Sequence, residues 1–158
     1  PMSEVEKRLV DLGVTLPAAA APIANYVPAV ISGSLLVVSG QLCFGPDGTL
    51  ADRHKGKVGD RVAPDAAIEA ARFCAINLLA QAKAALGDLD RITRCVRLGG
   101  FINAPSGYGA LAPIMNGASD LMVAALGERG RHARSTVGMS ALPLDAVVEV
   151  EAMFEVRP

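Results

Sequence analysis

The stretch ARSTVGMSALPLDAVVEVEA, residues 133–152, contains two alternating segments separated by a Leu-Pro turn. Successive side chains of a β-strand point to opposite faces, and residues two apart share a face. Arg134 and Thr136 therefore share one face of the first predicted strand. Glu149 and Glu151 share one face of the second. The stretch predicts two C-terminal strands that each present charged or polar groups on one side.

Arg134 is the most informative residue of this stretch. A guanidinium at the start of an apolar strand is costly to bury unless an anion compensates its charge. One interpretation is a ligand carboxylate, which the planar guanidinium can grip with two parallel bonds. The other is an internal ion pair with Glu149 or Glu151, which the bare residues favour. In a hairpin centred on the Leu-Pro turn, however, Glu149 would face Gly138, roughly 13 Å from Arg134 at ~3.3 Å per residue.

The preceding sequence predicts further strands and two long helices. Two β-rich runs around Gly33 predict a hairpin. An apolar stripe predicts a helix over 64–86 that ends at Gly87. Gly99 and Gly100 interrupt a predicted strand and indicate a bulge or a close backbone approach. The other predicted elements are a second helix over 111–126, strands over 92–102, 133–141 and 146–156, and a short strand near 56–58.

Residues 1–21 form an addition to this pattern. Ser3 is a candidate N-cap for a short helix over 4–12, and Gly13 is a natural stop. An Ala/Pro-rich connector follows over 17–22. We expect a single domain over 1–158, because this length suits one compact core.

The element order, β-β-α-β-α-β-β after the short helix, predicts an α+β fold. In such a fold two long helices cover one face of a single sheet. The strands carry Val and Leu on both faces, so the second face needs another cover. A second copy of the chain is the simplest one, and the sequence therefore predicts an oligomer.

Composition argues against several functional classes. The net charge of -1 and pI near 6.2 give no basic excess for binding nucleic acid. The short basic segment 129–134 is interpreted as a helix end and strand start, with His132 exposed. The three cysteines and two histidines lack zinc spacing, so no metal or cofactor is expected and Cys43 is interpreted as a structural thiol. Without a signal peptide or an apolar run of ~18 residues, we expect a cytoplasmic protein with no membrane partner.

Several motifs together resemble the RidA (YjgF/YER057c/UK114) family. The family's C-terminal signature is matched by Ala-Arg-Ser at 133–135, the Leu-Pro turn, and Val-Glu-Val-Glu-Ala at 148–152. Its Ser-Gly-Gln is matched at 39–41, and its Pro-Tyr-Ser-Gln-Ala-Val stretch by residues 25–30. The resemblance covers about residues 22–156. This chain is longer than typical members and has Thr136 where the family often has Cys.

The resemblance implies a fold like the Bacillus type of chorismate mutase and a homotrimer whose sheets form a central barrel. It also implies clefts between subunits in which Arg134 holds a substrate carboxylate and Glu149 positions or activates water. The other residues implied to line the cleft are Tyr26, Gly40, Asn116 and Thr136.

The activity implied by the resemblance is hydrolytic deamination of small carboxylate-bearing enamines and imines, of the 2-aminoacrylate type, to 2-keto acids and ammonia. A non-catalytic protein that binds small carboxylates such as 2-keto acids is the alternative, and Val27-Pro28 and Thr136 keep it open. Ribonuclease activity, a label of some relatives, is disfavoured by the neutral charge and the scarcity of aromatic residues.

Overall fold

The computed structural model describes all 158 residues. Three α-helices accompany one five-stranded sheet. The helices are α1 (Glu4–Asp11), α2 (Pro64–Leu86) and α3 (Ala112–Leu126), and the strands are β1 (Ala29–Ser32), β2 (Leu35–Leu42), β3 (Ile92–Asn103), β4 (Ala133–Met139) and β5 (Val148–Val156). The α+β class, the helix over 64–86 and the hairpin around Gly33 are confirmed.

The strands lie in the order β1-β2-β5-β3-β4. All neighbours are antiparallel except β3 and β4, which are parallel. Helices α2 and α3 pack together against one sheet face, where the alternate residues Val148, Val150 and Phe154 of β5 are fully buried. This arrangement confirms a single sheet with two long helices on one face.

The last two strands do not form a hairpin. Helix α3 is a crossover that brings β4 alongside β3 in parallel, at the sheet edge. Strand β5 then enters between β2 and β3, where both of its edges find backbone hydrogen-bond partners. The separation of roughly 13 Å expected for a hairpin of β4 and β5 therefore does not apply.

The glycine pair in β3 marks a close approach and not a bulge. The register shifts of β3 lie earlier, between Ile92 and Arg97. A methyl group at Gly100 would overlap the Met115 sulfur of α3, and one at Gly99 would meet Glu151. The expected strand near 56–58 is also wrong, because this segment forms only isolated bridges, such as Val58 with Val62.

Helix α1 is attached firmly to the rest of the fold. The Ser3 hydroxyl accepts the Glu6 backbone N–H at 3.1 Å, which confirms the predicted N-cap. The backbone N–H groups of Glu4 and Val5 donate to the Asp90 carboxylate at 2.9 and 3.1 Å. The helix also packs against α3.

The sheet face opposite the helices is uncovered in the single chain. It presents Val30, Val37 and Val137 to solvent, with Val37 40% exposed. An ion pair between Arg97 and Glu151, with 3.4 Å between Nη1 and Oε2, crosses the same face. Apolar side chains at these positions are typical of a surface that another molecule covers. None of the helices has the length and apolar character needed to cross a membrane.

Candidate functional site

Glu149 lies in the middle of the sheet, on the open face. It is paired with Leu42 of β2 and Phe101 of β3. Its side chain alternates with those of Val148 and Val150, which are buried under the helices. The fold thus places the carboxylate on the face that the helices leave free.

The environment of Glu149 favours its neutral form. Burial raises the pKa of this carboxyl, and the negative charge of Glu151 raises it further. Glu151 forms an ion pair with Arg97, whereas Glu149 has no hydrogen bond or ion pair with a cation. A carboxylate held in this way is a better proton acceptor than a solvated one.

A small pocket opens beside Glu149, with a cavity volume of about 70 Å³. Tyr26 and Gly40 line it together with Glu149, so three of the residues implied by the resemblance meet here. Gly40 lies directly against the Glu149 side chain. We call this the glutamate pocket; its further lining residues are Ala20, Ala21, Pro22, Ile23, Pro28, Gln41, Leu42, Phe44, Gln81 and Pro143.

The connector after α1 forms one wall of the glutamate pocket. Gln81 of α2 holds it in place, because the Gln81 side-chain amide donates to the Ala20 carbonyl at 2.7 Å. The same amide donates to the Gln41 side-chain oxygen at 3.2 Å. The Ala/Pro segment is therefore part of the site region and not only a link to α1.

Arg134 lies on the edge strand β4 and points to the helix side of the sheet. Its Nη1 donates to the Ser119 hydroxyl at 3.0 Å, and its Nη2 donates to the Ala112 carbonyl at 3.3 Å. Both acceptors are neutral groups of α3. The expected ion pair with Glu149 or Glu151 is absent, so that interpretation is wrong, and the guanidinium charge has no carboxylate partner within the chain.

Asn116 and Thr136 lie near Arg134. Asn116 is exposed on α3, between Ala112 and Ser119 at helical spacing, so it shares the helix face that Arg134 contacts. Thr136 is two residues beyond Arg134 on the same face of β4, and its hydroxyl is buried without a hydrogen-bond partner. We call Arg134, Asn116 and Thr136 the arginine edge.

Two further polar residues, Ser119 and His132, lie near Arg134. The Ser119 hydroxyl lies 2.8 Å from His132 Nε2, and His132 Nδ1 lies 2.6 Å from the Gly130 carbonyl. His132 is half-buried, so its expected exposure is wrong. In the sequence, only its polarity and its position three residues after Asn116 in an apolar helix distinguish Ser119. No local pattern indicates its contact with His132.

The glutamate pocket and the arginine edge are separate within one chain. Arg134 pairs with Leu98, which is buried under the helices, whereas Glu149 faces the open side. The two residues are two strands apart and three positions out of line, or roughly 14 Å between Cα atoms from ordinary strand spacing and rise. Because they also point to opposite faces, one chain cannot bring their side chains together.

The Cys43 thiol is buried, as expected for a structural thiol. Cys43, at the end of β2, is fully buried, and a hydrogen bond with the Cys74 thiol lowers its pKa. No group of three or more His, Cys, Asp or Glu side chains is arranged to hold a metal ion.

A single five-stranded sheet with two long helices on one face defines a chorismate mutase-like α+β protein. The model of the YjgF/chorismate mutase-like family, whose description adds an endoribonuclease label, matches residues 6–156. The chain belongs to this family, and the resemblance found in the sequence is confirmed.

Several known proteins are similar to this chain over most of its length. Protein TCP17 of Trypanosoma cruzi is 44% identical over 97% of this chain and 94% of its own length. The crystal structure of Atu1372 from Agrobacterium tumefaciens, a protein of unknown function, is 48% identical with a TM-score of 0.90, over 98% of this chain and 93% of that one. Escherichia coli TdcF with bound serine is 26% identical with a TM-score of 0.60, over 91% and 96% of the two chains.

Proposed function

We propose that this protein hydrolyses small carboxylate-bearing enamines and imines to 2-keto acids and ammonia. The observation that carries the proposal is the Arg134 guanidinium, which makes only neutral contacts within the chain. A guanidinium offers five N–H donors, of which two are used here. The remaining donors can receive the carboxylate of a small substrate.

The proposed site is completed by a second copy of the chain. In this arrangement the arginine edge of one subunit meets the glutamate pocket of the next, in a homotrimer with three such clefts. The uncovered apolar sheet face supports association, because Val30, Val37 and Val137 would leave water. The separation of Arg134 and Glu149 within the chain also favours it, since only a neighbour could unite the two groups.

The chemistry needs little beyond positioning and one proton acceptor. Arg134 holds the carboxylate, and Asn116 and Thr136 line the cleft beside it. The substrate reacts as the protonated imine. Glu149 accepts a proton from water as the water oxygen bonds to the iminium carbon, which gives a neutral carbinolamine. Glu149 returns that proton to the nitrogen. As the C–N bond then breaks and ammonia leaves, the carbinolamine hydroxyl gives its proton to Glu149 and becomes the keto group. Such general acid–base help contributes typically 10²- to 10⁴-fold in rate.

Ammonia release from 2-iminobutyrate or 2-iminopropionate, generated in situ, tests the proposal. The Arg134→Ala variant should lose roughly 10- to 100-fold in kcat/KM, the effect of a lost charge-assisted hydrogen bond. Arg131→Ala is the matched control, because this exposed arginine pairs with Glu128 and lies outside the site. Equal turnover in both variants and the unmodified protein would refute the role of Arg134.

The same experiment separates the proposal from non-catalytic binding. Calorimetric titration with 2-ketobutyrate measures affinity for the carboxylate product. Binding that depends on Arg134 without any ammonia release would support a carboxylate-binding protein and reject the deaminase. Absence of both 2-ketobutyrate binding and ammonia release would reject the deaminase and the carboxylate-binding protein alike.

A further inference from the structure

We propose that Ser119 and His132 act as a positioning pair that fixes the Arg134 guanidinium for the substrate carboxylate, an inference that rests on the function proposed above. Neither residue needs to contact the substrate. Their effect passes through one hydroxyl group, which links the imidazole of His132 to the guanidinium of Arg134.

The hydrogen-bond directions follow from the chemistry of the groups. The Gly130 carbonyl can only accept, so His132 Nδ1, at 2.6 Å, carries the ring proton. The Nε2 atom of the neutral ring is then an acceptor and receives the Ser119 hydroxyl proton at 2.8 Å. This fixes the hydroxyl rotor and leaves the lone pairs of Ser119 Oγ available to the Arg134 Nη1–H at 3.0 Å.

The environment of His132 favours this neutral form. Burial lowers the pKa of the ring, and the adjacent positive charge of Arg134 lowers it further, while the bond to Gly130 acts in the opposite direction. A protonated ring would place a donor at Nε2 and a second cation beside the guanidinium. At neutral pH the ring therefore accepts from Ser119 and orients it.

The position of Ser119 makes this orientation useful. Nη1 bonds Ser119 and Nη2 bonds the Ala112 carbonyl, so both terminal nitrogens are anchored along one face of α3. Asn116 lies between these two anchors on the same helix face. The three remaining N–H groups of the guanidinium are left for a ligand. Loss of the Ser119 anchor frees Nη1 and adds side-chain entropy that binding must remove.

Four variants test the positioning role. Ser119→Ala removes the acceptor for Nη1, His132→Phe keeps the ring but removes its nitrogens, and the double variant combines both. His132→Gln restores an acceptor for the hydroxyl, and Ser106→Ala, an exposed loop serine, is the control. Kinetics of ammonia release, calorimetric titration with 2-ketobutyrate and thermal melting are measured on each.

The single variants should weaken 2-ketobutyrate binding and raise KM about fivefold, the effect of one ordinary hydrogen bond, with a smaller change in kcat. The double variant should be no worse than either single variant, because both remove the same link. His132→Gln should recover part of the affinity. A merely structural pair would lower the melting temperature without this pattern.

Several results would overturn the proposed positioning role of Ser119 and His132. Affinity equal to that of the unmodified protein in Ser119→Ala, or additive losses in the double variant, would show that the two residues do not act through one contact. If the Ser119→Ala and His132→Phe variants fail to fold, ¹⁵N NMR of the unmodified protein tests the proposed hydrogen-bond directions instead. A predominant Nε2–H tautomer of His132 at pH 7 would contradict these directions. An unmodified protein that neither binds 2-ketobutyrate nor releases ammonia would reject the proposed function and, with it, this inference; normal activity with unaffected variants rejects only the pair.

Discussion

Gly40 of β2 lies against Glu149 of β5 so closely that a methyl group at Gly40 would overlap the Glu149 carboxylate. The backbone at Gly40 does not require a glycine, because its φ is not in the left-handed region. The residue is therefore needed for space. This close approach sets the position of the proposed proton acceptor in its pocket.

Gly40→Ala should displace the Glu149 carboxylate and lower kcat for imine hydrolysis, by at least tenfold if proton acceptance is mispositioned. Gly109→Ala is the control, since a methyl group there meets nothing within 4 Å and its φ is also not positive. Steady-state ammonia release measures the effect. A Gly40→Ala protein with unchanged kcat would contradict the proposed position of Glu149.

The pH profile of kcat/KM should show an acid limb set by Glu149. The carboxylate must be ionised to accept a proton, and burial and Glu151 raise its pKa, so activity falls at a higher pH than an ordinary glutamate would give. Glu151→Gln removes one cause of the raised pKa and should shift the limb to lower pH. A limb that does not move in Glu151→Gln would argue against Glu149 as the group observed.

The open sheet face should be an interface in solution. Val37→Glu puts a charge on this face, at a position that is 40% exposed in the single chain. Val10→Glu is the control, because it puts the same charge on α1, away from this face, at a position that is 58% exposed. If the face is covered in a trimer, only Val37→Glu should dissociate it, because burying an unpaired charge is costly. Light scattering measures the mass. A trimeric Val37→Glu protein, or a monomeric unmodified protein, would contradict this assembly.

The bond from Gln81 should hold the connector wall of the glutamate pocket. Gln81→Met keeps a long side chain but removes the donor to the Ala20 carbonyl. Backbone amides over 18–24 should then exchange several-fold faster with solvent, as expected for a locally loosened segment. Amides of α1 serve as an internal control, since the helix keeps its bonds to Asp90. Equal exchange over 18–24 in both proteins would show that other contacts hold the connector.

Much of the fold could be predicted from local patterns. Helix α2 begins at Pro64 and ends at Leu86 as its apolar stripe and Gly87 indicate. The alternation in β5 placed Glu149 and Glu151 on one face, and the structure has them so. These features depend on residues close in sequence, where side-chain period and capping chemistry decide the outcome.

Two of the errors involved contacts between distant segments. The Leu-Pro turn suggested a hairpin, yet β3 lies between β4 and β5. His132 was expected to be exposed, yet it contacts Ser119, thirteen positions earlier on α3. Neither relationship leaves a local trace, because strand order and helix packing are set by long-range burial and backbone pairing.

The sequence by itself determined the elements, their order and the residues able to bind a carboxylate or accept a proton, since each follows from side-chain chemistry and local spacing. Only the tertiary structure decided that Arg134 and Glu149 lie on opposite faces of the sheet. The reason is the pairing register: through β3, Arg134 aligns with Leu98 and Ala152 on the helix side, whereas Glu149 lies three positions from Ala152 and faces the open side.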